Sequence, residues 1–170
     1  MSTITTLSGI QFDPINPNPR HINISDISAG LSKICRFNGQ IRTFYSVAEH
    51  SVRVSWIVPP EYAMAGLLHD ASEAYLNDVT SPVKKLAVMA PYREIEERLQ
   101  NAIYHAFGLP PGVPEIVHGA DKAMRDVEEA QLRNRVYSPW KGPLRLAYWE
   151  HEEARSKFLN RFAELRAWAA

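Results

Sequence analysis

Apolar residues recur along this chain with the three-and-four spacing of amphipathic helices, and almost nowhere with the alternation of a strand. Ile24, Ile27, Leu31 and Ile34 form the first stripe, with Ser25 as an N-cap ahead of Asp26 and the Gly39 turn beyond it. Ser46, with Glu49 three residues on, reads as a capping box. Val47, Val54, Ile57 and Val58 carry the period until Pro59 and Pro60 end it, which sets His50 in the first turn of a second helix. A third helix is predicted from Glu61 through AMAGLLHDASEAYL, where small and apolar residues on nearly every side mark it as buried. Asn77 to Pro82 reads as a turn. Tyr92 to Phe107 predicts an amphipathic helix closed by Gly108, Pro110 and Pro111. Another runs from Pro114 to about Arg135, with Ile116, Val117, Ala120, Met124 and Val127 as its stripe, and a last from Trp149 to Trp168 uses Phe158, Phe162 and Leu165. The start differs: a short strand-like run at Leu7 to Phe12 precedes Pro14, Pro17 and Pro19, predicting an extended arm laid on the domain. The expectation is an all-α fold, one helical domain over 23–170 with an N-terminal arm over 1–22.

Composition narrows the partners. The 170 residues suffice for one domain with its own core, and 45% hydrophobic against 22% charged residues is far from the signature of disorder. Lys plus Arg equals Asp plus Glu at 19 each, so no net field exists to hold polymeric nucleic acid, and no basic run marks a membrane surface. The single cysteine, Cys35, can make neither an internal bridge nor a Cys-rich zinc site, which fits a reducing compartment. MSTITTLSG lacks the basic start and apolar core of a signal peptide, and the longest apolar stretch runs only from Tyr62 to Leu68. A cytoplasmic protein with no membrane span is expected, and any metal it holds must be bound by His and carboxylates.

Four residues of those types stand out: His50, the adjacent His69 and Asp70, and the distant Asp121. Imidazole nitrogen and carboxylate oxygen suit divalent transition metals, and a set of two of each leaves coordination positions for water and substrate. On a helix His69 and Asp70 lie about 100° apart, and Glu73 follows them by four and three residues, so all three share one side. Asp121 falls on the flank of its helix's apolar stripe. Each alone has a plainer account: a lone histidine is more often a satisfied core or surface residue, and Asp121 can pair with Arg125 one turn on.

The strings YSVAEHSVRVS, LLHDASEAYLNDVTSPVK and GADKAMRDVEEAQL resemble, in order, the three core motifs of the HD-domain phosphohydrolases: a His, an adjacent His-Asp pair and a distal Asp. The likeness spans roughly residues 33 to 132. It is nearest to the compact 5′-deoxynucleotidases and to phage and prophage HD hydrolases, including the dATP triphosphohydrolases, which share segments of the type ICRFNG, A-E-H-S, H-D-A-S-E and S/T-P-V-K. The resemblance implies an HD-domain helical bundle with metal ligands at His50, His69, Asp70 and Asp121 and catalytic carboxylates at Glu73 and Asp78. It implies substrate contacts from Arg36, from Phe37, where the deoxynucleotidases have Trp, and from Lys84, which reads equally well as a solvated loop lysine.

The implied cofactor is one divalent transition metal, Zn, Co or Mn, with an additional Mg accompanying the nucleotide phosphates. The implied reaction is attack of metal-activated hydroxide on the α-phosphorus of a deoxynucleoside triphosphate of the dATP type, releasing deoxynucleoside and triphosphate. Arg20, Arg36, Lys84, Lys85 and Lys122 could neutralise such a tail. The alternatives are a 5′-deoxynucleotidase acting on monophosphates, an HD-type di-iron oxygenase needing more histidines than the chain places, and a non-enzymatic helical module. His118, three residues before Asp121, reads as a pocket or structural residue; His105 lacks the context of a ligand, and His21 and His151 read as surface residues. Trp149, Phe158, Phe162 and Trp168 could cover more surface than one small domain offers, and the resemblance points to a homo-oligomer.

Overall fold

In the computed structural model, which describes residues 3–133 and 145–168, a short hairpin leads into a set of packed helices. They are α1 (Ile24–Leu31), α2 (Val47–Ile57), α3 (Ala63–Leu68), α4 (Glu73–Leu76), α5 (Ser81–Lys84), α6 (Ala90–Ala106), α7 (Glu115–Glu128) and α8 (His151–Trp168). The all-α expectation holds, and among the described residues no helix is long and apolar enough to cross a membrane.

Helix α2 is the hub, packed against α1, α3, α7 and α8, and its residues from Val47 to Ser55 are all buried. Ser46 caps it as the sequence predicts, its Oγ accepting from the Glu49 N–H at 3.0 Å. Glu49 does not reach back to complete a capping box. Its carboxylate, fully buried, accepts from Arg53 and from the Ala147 and Trp149 backbone N–H groups at 2.9 and 2.7 Å, tying the C-terminal segment to the hub. Val58 turns extended before Pro59, and the helix stops there.

The single helix predicted through AMAGLLHDASEAYL is instead two, α3 and α4, separated by a tighter turn at 69–72. Helix α6 meets both sides of this break: the Gln100 side chain donates to the Leu68 carbonyl at 2.7 Å and accepts from the Ser72 N–H at 3.1 Å, the two groups that an i,i+4 bond of a continuous helix would pair. His69 and Asp70 therefore sit in a turn. Smaller departures follow from local chemistry. Asn23, not Ser25, caps α1, its side-chain oxygen accepting from the Ser25 N–H at 2.8 Å. Helix α7 passes at Glu129–Arg133 into a π-helical turn, and the end expected near Arg135 lies outside the described residues.

The arm pairs Ile4 with Phe12 and Thr5 with Gln11, so most of the strand-like run at Leu7 to Phe12 is the hairpin turn. It is anchored polar to polar, the Ser8 N–H and Oγ donating to the buried Asp26 carboxylate at 2.8 and 2.6 Å, and apolar to apolar, with buried Phe12 stacked on Tyr75 at 4.3 Å. Of the aromatic residues expected to offer surface for assembly, Trp149 and Phe158 are buried and Phe162 packs edge-on against Phe107 at 5.2 Å. Trp168 alone of the four is exposed.

Helix α4, which carries Glu73, lies so close to α1 that a Cβ on Gly30 would stand 2.9 Å from the Ala74 backbone. Gly30→Ala is expected to destabilise the fold by about 1–3 kcal/mol, as overpacking does elsewhere, read as a lowered midpoint in thermal or urea unfolding.

Candidate metal centre

His50 projects from the first turn of α2, His69 and Asp70 from the turn at 69–72, and Asp121 from the middle of α7. The fold brings all four together. His50 Nε2 is 3.3 Å from His69 Nε2 and 3.1 Å from Asp121 Oδ1, and ligand atoms of these three residues lie within 4.8 Å of one another. Asp70 Oδ2 approaches the same point, 3.2 Å from His69 Nε2 and 3.7 Å from His50 Nε2.

The hydrogen bonds behind the imidazoles decide what this point can hold. His69 Nδ1 donates to the Gly66 carbonyl at 2.8 Å, and His50 Nδ1 donates to Glu128 Oε1 at 2.6 Å. A neutral imidazole has one N–H, so with both spent on Nδ1 each Nε2 presents a lone pair. Two lone pairs and two carboxylates then converge with no donor among them, an arrangement that a cation would satisfy. With no ion, a proton is the available substitute. Burial resists charge on His69, but the adjacent Asp70 and Asp121 outweigh it and hold the imidazole above its ordinary value. Burial likewise opposes ionisation of Asp70, yet His69, His50 and Arg36 hold that carboxyl well below the usual range. The donor set of His50, His69 and Asp121 fits a metal ion.

Glu128 belongs to the same cluster, although the sequence motifs do not single it out. It is fully buried and joins two groups, His50 on one oxygen and, on the other, the Arg36 guanidinium through Nε and Nη2, both at 2.9 Å. Burial raises its pKa, but His50 and Arg36 more than reverse this. Its signal was present: Glu128 follows Asp121 by seven residues, two turns along the same helix face, and adjoins Val127 on the apolar stripe.

A cavity of about 620 Å³ opens over Asp70 and Asp121, with the two imidazoles set back behind them. Glu73, Asp78, Arg36, Phe37 and Lys84 line it too, so residues far apart in sequence meet around one cavity. Glu73 is nearly buried and its Oε2 has no hydrogen-bond partner. Burial first, then the charges of Asp70 and Asp78, push its carboxyl well above the usual value. The cavity's cations differ in part from those expected. Arg36 and Lys84 are there, joined by Arg125; Arg20, Lys85 and Lys122 are not among the lining residues. Each is ion-paired: Arg36 to Glu128, Lys84 to Glu96 at 2.7 Å, and Arg125 to Asp121 at 2.9 Å. His118 is exposed and does not line the cavity, contrary to its reading as a pocket or structural residue; His21 and His151 are exposed as expected.

The chain is 42% identical over 132 residues to an uncharacterized protein, YfdR, of Escherichia coli K12, an alignment covering 78% of this chain and 73% of YfdR. The chain belongs to the YfdR family. A second relative, an uncharacterized protein of Rhodobacter capsulatus, is 40% identical over 135 residues, covering 74% of this chain and 68% of its own length. No family model matches the chain. What bears on function in this chain is the geometry of the four side chains.

That geometry has a pH signature. Burial raises the Asp121 pKa, but the hydrogen bond and charge of His50 bring it down to about 2 from 3.8. A depressed folded value means that the stability Asp121 contributes is present above about pH 4 and lost as pH falls toward 2. The unfolding midpoint of metal-free protein is expected to drop across that window, and Asp121→Asn to flatten the drop.

Proposed function

We propose that the protein is a metal-dependent phosphohydrolase of the HD type acting on deoxynucleotides, with dATP, cleaved at the α-phosphorus to deoxyadenosine and triphosphate, as its leading substrate. The observation that carries this reading is the convergence of acceptors alone at His50, His69, Asp70 and Asp121, beneath a cavity whose wall also holds the unpartnered Glu73 oxygen. A divalent ion held there supplies Lewis acidity, polarising a phosphoryl oxygen and making water more acidic near neutral pH.

The chain's own residues do the rest. Glu73 Oε2 faces no competing partner, and its raised pKa lets it keep a proton to higher pH than an exposed glutamate does. It can therefore hold an oxygen of water or of the leaving group by hydrogen bond and pass a proton to it. Asp78, which lines the cavity after α4, would assist the leaving oxygen or accept from a sugar hydroxyl. Arg36 keeps its guanidinium between Glu128 and Asp70, with Nη1 3.6 Å from Asp70 Oδ2, so that a phosphoryl group beside Asp70 meets a fixed positive charge. Phe37, with the Arg36 guanidinium 5.7 Å from its ring centroid, offers an apolar face at the same rim.

A second reading, a 5′-deoxynucleotidase, is favoured by one observation: the lining cations Arg36, Lys84 and Arg125 are all paired to carboxylates. A triphosphate must then bring counter-ions such as Mg²⁺, whereas a monophosphate carries less charge to neutralise.

Metal-stripped protein supplied with Mn²⁺, Co²⁺ or Zn²⁺ is expected to convert dATP to deoxyadenosine and intact triphosphate. Orthophosphate from dAMP alone would assign the nucleotidase, and no turnover of either nucleotide would overturn the reading. Glu73→Gln is expected to lower kcat by roughly 10²–10⁴-fold while metal affinity, measured by titration, stays near that of the unaltered protein.

A further inference from the structure

We infer that Gln100 is a positioning residue for the candidate metal centre: its carboxamide holds the turn at 69–72 out of α-helical register, so that His69 follows α3 while Glu73 follows α4. The inference rests on the metal-dependent reading above and names the device that sets its geometry.

The amide acts on both sides of a bond that is missing. In an unbroken helix the Ser72 N–H would donate to the Leu68 carbonyl. Gln100 Nε2 donates to that carbonyl at 2.7 Å, and Gln100 Oε1 accepts from that N–H at 3.1 Å. The chain between them closes by i→i+3 bonds instead, Ala71 N–H to the Leu68 carbonyl at 3.1 Å and Glu73 N–H to the Asp70 carbonyl at 3.0 Å. A turn of that kind advances about 120° per residue in place of about 100°. In ideal geometry residues three apart then eclipse, whereas the α-helix leaves them about 60° apart. Asp70 and Glu73 are three apart and both line the cavity, while His69, with its Nδ1 still bonded to the Gly66 carbonyl, keeps the direction of α3 toward His50.

The residue type is accounted for by this role. Gln100 is buried on the apolar stripe of α6 beside Leu99 and Ile103, where an amide is costly unless both of its ends are bonded. Its two ends meet the Leu68 carbonyl and the Ser72 N–H.

Gln100→Met keeps the length and packing but neither polar group, leaving Leu68 and Ser72 free to pair with each other. In the full chain it is expected to fold with a thermal midpoint close to that of the unaltered protein. The ¹³Cα shifts at 69–72 are expected to move toward α-helical values, and Co²⁺ affinity, read from visible absorption, to fall about 10- to 100-fold. Co²⁺ affinity and spectrum identical to those of the unaltered protein would overturn the inference. Should Gln100→Met not fold, Gln100→Leu decides: it too lacks the donor for Leu68 and the acceptor for Ser72, so weaker Co²⁺ binding is expected and unchanged binding overturns the inference. If the unaltered protein binds no Co²⁺, the functional reading fails by itself, and unchanged ¹³Cα shifts at 69–72 in Gln100→Met would sink the positioning role independently.

Discussion

An ionised carboxylate with no route to water must be surrounded by donors, and Glu128 meets that demand with His50 on one oxygen and Arg36 on the other. Much of the site follows from this one burial. The Glu128 bond keeps the His50 proton on Nδ1, so Nε2 turns a lone pair toward His69 and Asp121. The same carboxylate holds Arg36 at the cavity wall, 3.6 Å from Asp70. Removing either partner would strand a buried charge at a cost of several kcal/mol, so the His50 imidazole and the cavity-facing cation are coupled through one side chain.

Around that charge the scaffold is held by other buried polar groups, each placed where two segments distant in sequence must stay in register. Glu49 binds the 145–149 stretch to α2, helped by Arg53, which donates to the Arg145 carbonyl at 2.8 Å. Gln100 joins α6 to both ends of the turn at 69–72, and the Tyr104 hydroxyl, also on α6, donates to the Ala65 carbonyl at 2.9 Å. Apolar packing brings the helices together without fixing their rotation to the accuracy that a convergence of side chains from three elements needs; directional bonds supply the remainder.

The cavity rim carries backbone strain as well. Phe37 and Asn38 both adopt positive φ, 54° and 51°, a conformation that Asn tolerates and Phe rarely adopts. Bonds on either side hold it, Arg36 N–H to the Tyr45 carbonyl and Gln40 N–H to the Phe37 carbonyl, both at 2.9 Å. The strained pair lies directly after the arginine that Glu128 anchors, which places Phe37 and Asn38 on the cavity wall.

Periodicity and capping made most of the helices legible from sequence, because an amphipathic stripe and a Ser or Pro at its ends report on local backbone energetics alone. The all-α class, the stop at Pro59 and the cap at Ser46 are of that kind. The ordered His, His-Asp and Asp strings singled out the four side chains that the fold brings together, since chemistry of this sort depends on residue identity. The break between α3 and α4 was not legible: Leu68 to Ser72 holds no Pro or Gly to announce it, and the groups that meet its two ends come from a glutamine on another helix. Nor were the partners of Glu49 and Glu128, since spacing along one helix does not say which distant donors a buried carboxylate will meet. The sequence determined which residues could act, through local propensity and side-chain chemistry. Which buried polar group meets which was decided only by tertiary packing, because desolvation forces each to find a donor or acceptor wherever the fold provides one.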